Sequence, residues 1–197
     1  MRPVNRGPIP QDNAGKAKVY SEYGNARRDL IERLGDYCSY CEMKVDSSLA
    51  VEHIQPKAHH PHLKREWTNF LLACSNCNCT KGDRHPDLAD ILWPHCDNTF
   101  RAFEYGEEGI VKPSPGLSPC LMAKAEASIA LTGLNKKPDT QKASDRRWQN
   151  RRETWNIAIE SLHDLTDCDC EQMRNQIIRT VKGIGYWSIW MTLFALS

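Results

Sequence analysis

Residues 38–82 read CSYCEMKVDSSLAVEHIQPKAHHPHLKREWTNFLLACSNCNCTKG. Two Cys-x-x-Cys pairs, Cys38/Cys41 and Cys74/Cys77, frame the dipeptide Glu52-His53 and the isolated Asn69, and Asn78 follows the last framing cysteine. A structural zinc site takes four soft or borderline ligands in a tetrahedron, and a two-residue spacer forms the knuckle that turns two thiolates toward one ion. The spacing therefore predicts a four-cysteine zinc frame tying the end of a first helix to the segment after a second strand. Cys79 offers a Cys-x-Cys alternative with Cys77, but the two-residue spacer is preferred because it frees the next residue for another task. Cys96, Cys120, Cys168 and Cys170 read as small core or surface residues, with Cys168-Asp169-Cys170 as a minor candidate for a second metal site.

The chain outside this stretch supports it. At 197 residues it can bury a sizeable core, and 40% hydrophobic with 26% charged residues is an ordinary soluble balance. A formal net charge of +1 excludes a strongly basic field over the whole protein, so any nucleic-acid contact must come from a local patch or a partner. MRPVNRGPIPQDN contains no apolar signal core, and no run of eighteen apolar residues appears, so we expect no membrane partner and a cytoplasmic location. In a reducing compartment the nine cysteines favour metal ligation over disulfides.

The organisation expected is an extended, flexible N-terminal arm over 1–20, a zinc-framed core over 21–99, and a hairpin plus helical region over 100–197 that docks a partner or supports the core. A first helix is expected from Ser21 to Leu34 with Gly35 at its end, a strand from Ser48 to Ile54 stopped by Pro56, and a second short strand at Phe70, Leu71 and Leu72. A helix is expected from Asn78 to Leu92, interrupted near Pro86, and a hairpin from Phe100 to Val111. Three further helices are expected over Leu121–Leu131, Asp145–Leu162 and Glu171–Leu193, with Trp148, Trp155, Trp187 and Trp190 supplying core contacts.

Within the frame, the residue types match the needs of phosphodiester hydrolysis: an activated water, neutralised phosphate charge, and help for the leaving oxygen. Glu52 and Asn78 are suited to hold a divalent cation, His53 to take a proton from water, and Asn69 to fix the loop or orient the imidazole. His59, His60 and His62 read as a solvated loop, with metal or phosphate contact as the alternative. Lys57, Lys64, Arg65, Lys81 and Arg84 read as a basic rim, and Arg146, Arg147, Arg151 and Arg152 as one basic helix face.

These residues resemble the HNH endonucleases of the ββα-metal class with a zinc-knuckle frame, whose pattern is met here by CSYC, EHIQP, Asn69, CSNCN and Lys81. The resemblance implies an α+β fold: a ββα-metal core with structural zinc, followed by a small hairpin and a helical C-terminal region. It implies a catalytic set of His53 (general base), Glu52 and Asn78 (ligands of a catalytic Mg²⁺ or Mn²⁺) and Asn69, with Cys38, Cys41, Cys74 and Cys77 binding structural Zn²⁺. Glu52 stands where Asp is commoner, and Asn78 where the family's name has His, departures that bear on metal preference more than on activity. The wording RPVNRG, VEHIQPK and NFLLACSNCNxxKG, with the helical tail, also resembles the PtuB-like HNH subunit of Septu-type antiphage systems, including retron-associated ones. That likeness implies DNA cleavage or nicking as the nuclease subunit of a defence complex with an ATPase partner of the ABC/SMC-like kind. Two alternatives stay open: the same chemistry on RNA such as tRNA, and a zinc-knuckle subunit that binds nucleic acid or protein without cutting.

Overall fold

The computed structural model describes residues 1–137 and 145–195. Its centre is a ββα unit. Strand β1 (Ala50–His53) pairs antiparallel with β2 (Phe70–Ala73) in the register Val51 to Leu72 and His53 to Phe70. All four residues of β2 are buried, as a short continuous apolar run demands when both faces are covered. Helix α2 (Ser75–Lys81) follows at once, because the Cys74 side chain caps its first turn and Gly82, at φ 54°, ends it. The helix expected to begin at Asn78 and run to Leu92 is thus earlier and shorter, and only a 3₁₀ turn at Leu88–Asp90 follows.

The first helix is a 3₁₀ turn (Tyr23–Ala26) running into α1 (Arg27–Leu34), whose Leu30 and Leu34 are buried and whose end is Gly35 at φ 77°. A one-turn helix α3 (Thr99–Ala102) precedes the hairpin of β3 (Phe103–Tyr105) and β4 (Val111–Pro113). Helix α4 (Pro119–Thr132) starts on the Ser118 cap and stops at left-handed Gly133. Helix α5 (Arg147–Asp167) extends beyond the expected Leu162. The result is a mixture of helices and two small two-stranded sheets, the α+β class expected.

One core cluster takes in Met1, Leu30, Phe70, Ile129 and Ile189, and a smaller one joins Ala158, Ile177 and Trp190. Of the four expected tryptophans only Trp190 is fully buried; Trp148, Trp155 and Trp187 are half-buried. The N-terminal arm is not a loose end. Met1 and Val4 are buried, Val4 N–H donates to Pro94 O at 2.7 Å, the Thr99 hydroxyl donates to Met1 O at 2.7 Å, and the Trp67 indole donates to Gly7 O at 3.0 Å. An extended proline-rich strap can make such bonds because it has no helix or sheet of its own to satisfy its backbone groups.

The segment expected as a single helix over Glu171–Leu193 is two helices, α6 (Glu171–Ile184) and α7 (Trp187–Phe194). They part at Gly185 (φ 84°) and Tyr186 (φ 58°). The break lets this corner meet the first zinc knuckle: Gly185 bridges to Met43, Tyr186 N–H donates to Glu42 O at 3.0 Å, and the buried Glu42 carboxylate accepts from Ser188 N–H (2.7 Å) and the Ser188 hydroxyl (2.5 Å). The carboxylate sits at the N-terminal end of α7, where unpaired N–H groups favour negative charge. A Cβ at Gly185 would lie 2.4 Å from Glu42 O. Gly185→Ala is therefore expected to destabilise the protein by at least about 2 kcal/mol in urea unfolding, from strain and clash together; an unchanged midpoint would refute this docking.

Candidate active site

The knuckle at the end of α1 and the one at the start of α2 meet beneath β2. The sulfur atoms of Cys38, Cys41, Cys74 and Cys77 all lie within 4.8 Å of one another, and all four residues are buried and free of disulfides. Cys41 Sγ is 3.7 Å from Cys74 Sγ, far beyond a bond and close to the about 3.8 Å edge of a zinc-thiolate tetrahedron. Backbone N–H groups of Cys41 and Cys77 point at Cys38 Sγ and Cys74 Sγ, each at 3.5 Å, a pattern that favours thiolates. The four cysteines are thus positioned to bind one metal ion, in a cluster compatible with zinc. Cys79 is exposed and stands outside it.

Sequence reasoning missed what supports this cluster. Arg147 and Arg151, expected on one basic face of the helix, are both buried, with Arg147 Nη1 donating to Cys77 Sγ at 2.9 Å. Arg147 also donates to Thr132 O and Gly133 O and pairs with Asp145, while Arg151 donates to Leu134 O and Gly109 O. The two guanidinium groups satisfy the carbonyls at the end of α4, which have no helical partner, and one of them also screens thiolate charge. Their four-residue spacing is legible in the sequence, but nothing local distinguishes a solvated stripe from a buried one.

Glu52, His53 and Asn78 line one cleft of about 210 Å³, with Tyr23, Lys57 and Lys81 among its other walls. Glu52 and His53 come from the end of β1 and Asn78 from the middle of α2. His53 is 7% exposed, its ring held edge-on by Tyr23 (4.9 Å between centroids) and Phe70 (5.4 Å). Its Nε2 lies 2.9 Å from Lys64 O. A carbonyl only accepts, so Nε2 carries the proton and Nδ1 is the basic nitrogen of the neutral ring. Burial lowers the pKa of His53, and the charges of Lys57, Lys81 and Lys64 lower it further, against the opposing pull of the Lys64 carbonyl. The ring is thereby kept neutral and able to accept a proton near pH 7.

Asn69 does not line the cleft. Its Oδ1 accepts from Gln55 N–H at 2.8 Å and its Nδ2 donates to Gln55 O (3.0 Å) and Leu63 O (3.3 Å). It staples both ends of the loop that carries Lys64, and so reaches His53 only through that loop. The Asn78 side chain makes no hydrogen bond to another described residue and is half-buried in the cleft.

Lys81 departs furthest from the expected basic rim. It is 1% exposed, donates to His53 O at 2.7 Å, and its Nζ lies 2.7 Å from Glu52 Oε1. Burial raises the Glu52 pKa, and the Lys81 charge offsets only part of that rise. Arg84 is likewise turned to backbone, donating to Thr80 O and Leu131 O. Lys57 does stand at the cleft wall, its Nζ 4.4 Å from the Tyr23 ring centroid and bonded to the Tyr23 hydroxyl, and Lys64 and Arg65 are exposed. Lys81→Ala removes one member of a buried ion pair and strands the other, so a loss of about 3–5 kcal/mol is expected in chemical denaturation; a loss under about 1 kcal/mol would mean that the pair is solvated.

Comparison with protein families identifies residues 38–84 as a match to the family model described as HNH endonuclease. The stretch that holds both knuckles and most of the cleft lining thus matches an HNH endonuclease domain, a type of domain that implies a nucleic-acid substrate. Comparison with curated proteins returns no match to the chain. Among the described residues no helix is long and apolar enough to cross a membrane.

Proposed function

We propose that the protein is a divalent-metal-dependent endonuclease that cuts or nicks DNA, with His53 as general base. The observation that carries this reading is the convergence of Glu52, His53 and Asn78 on one cleft, with the His53 ring committed through Nε2 to a backbone carbonyl. In the proposed mechanism Nδ1 of His53 takes a proton from water, and the bond to Lys64 O stabilises the imidazolium that results. Asn69 is a positioning residue acting through the loop. Lys57, at the rim, would meet a phosphate.

Glu52 and Asn78 would hold the catalytic cation, Mg²⁺ or Mn²⁺. The donor set fits: a carboxylate and an unengaged amide are oxygen ligands of the kind hard cations take, and both line the same cleft. When bound, such a cation supplies charge neutralisation at the scissile phosphate and the leaving oxygen. Zinc is the metal proposed for the four-cysteine cluster. The wording shared with PtuB-like subunits supports a place in an antiphage complex with an ABC/SMC-like ATPase, for which α5 to α7 are the natural docking region.

The second reading, a zinc-knuckle subunit that binds without cutting, is favoured by one observation. The Lys81 ammonium lies 2.7 Å from the very carboxylate that a cation would need. Incubating the zinc-loaded protein, alone and with its partner, with supercoiled plasmid or tRNA separates the readings. We expect plasmid to be nicked only when Mg²⁺ or Mn²⁺ is supplied and tRNA to stay intact. Cleavage of tRNA instead would move the substrate to RNA, and binding of either without cleavage under all conditions would establish the non-catalytic reading.

A further inference from the structure

The loop after β1 and the segment after α2 meet through imidazoles. His60 Nε2 lies 2.8 Å from His85 Nε2. The His59 and His85 ring centroids are 5.0 Å apart, and those of His60 and His62 are 5.9 Å apart. Four of the seven histidines in the chain thus stand together, joining two segments that are 25 residues apart in sequence. Cis nitrogens bound at 2.0–2.1 Å to a first-row cation are about 2.9 Å apart in an octahedron and about 3.3 Å in a tetrahedron. The pair already has the bite of a chelate.

We propose that His60 and His85 form a binding site for a borderline divalent cation of the Zn²⁺, Ni²⁺ or Cu²⁺ class, separate from the cysteine cluster and from the cleft. Imidazole nitrogens select such ions over Mg²⁺ and Ca²⁺, which take oxygen. Without a cation one ring must donate its Nε2 proton to the other. With one, the donating ring carries its proton on Nδ1 instead, and both rings turn so that their Nε2 lone pairs converge on the ion at nearly the separation already present. The two imidazoles are the protein's ligands, and water completes the sphere; the His59 ring, centred 5.0 Å from that of His85, would have to turn to add a third nitrogen. Pro56, Lys57 and Ala58 on one side and Gly82 and Asp83 on the other line the cleft, so a cation on His60 and His85 ties the cleft's two walls together a few residues beyond its rim.

The test is calorimetric titration of Ni²⁺ into the untagged full chain, with its cysteine cluster preloaded with zinc and excess Mg²⁺ present. One Ni²⁺ per chain is expected. His85→Ala, which removes the single imidazole of the second segment, and His60→Ala should each weaken binding by at least about tenfold, whereas His163→Ala, on the exposed face of α5, should not change it. Absence of a binding event, or wild-type affinity in His85→Ala, overturns the proposal. Neither result bears on cleavage, so the site stands or falls independently of the nuclease reading.

Discussion

Replacing His53 with alanine is expected to lower the rate of plasmid cleavage by about 10²–10⁴-fold, the usual contribution of a general base. The ring is also a packing element, wedged between Tyr23 and Phe70, so alanine leaves a small void beneath the cleft and some loss of stability accompanies it. His53→Gln separates the two effects. Its side-chain amide fills much of the same space and retains a donor for Lys64 O, but it offers no basic nitrogen. Both variants should retain zinc and a cooperative melt while both lose cleavage. A glutamine variant that cuts at the wild-type rate would remove His53 from the chemistry and leave it a structural residue.

Cys77→Ser should do the opposite, removing the fold along with any activity. Zinc bound by four cysteines contributes about 10–16 kcal/mol in small zinc modules, as much as the whole net stability of an ordinary domain, about 5–15 kcal/mol. Cys77 also accepts from the buried Arg147, so serine weakens the arginine's hold on both α4 and the knuckle. The expected outcome is zinc well below one equivalent, loss of the cooperative thermal transition and aggregation on expression. Cys79→Ser, at an exposed cysteine outside the cluster, should retain full zinc and melt as the wild type does. If Cys77→Ser lost its metal yet melted normally, the cluster would not be what holds α1, β2 and α2 together.

The paired knuckles, the two short strands and the Glu-His dipeptide could be read along the chain because each depends on neighbours a few residues away. A two-residue spacer turns two thiols inward wherever it occurs, and Pro56 or Gly82 ends an element by its own backbone preference. The burial of Lys81, Arg147 and Arg151 could not be read this way. A cation at helical spacing is identical in sequence whether it faces water or a row of carbonyls, and the carbonyls that recruit Arg147 belong to another helix. The break at Gly185 draws on both: the glycine ends α6 by its own backbone preference, as Gly82 ends α2, but the docking of α7 depends on Glu42, 146 positions away from Ser188. Contacts within a few residues are encoded where they form, so the ligand spacing and the order of elements were legible. Contacts across tens of residues or more exist only once the chain has closed on itself, and these turned Lys81 from the rim to Glu52, drew Arg147 to the Cys77 sulfur and brought the imidazoles of two separate loops together.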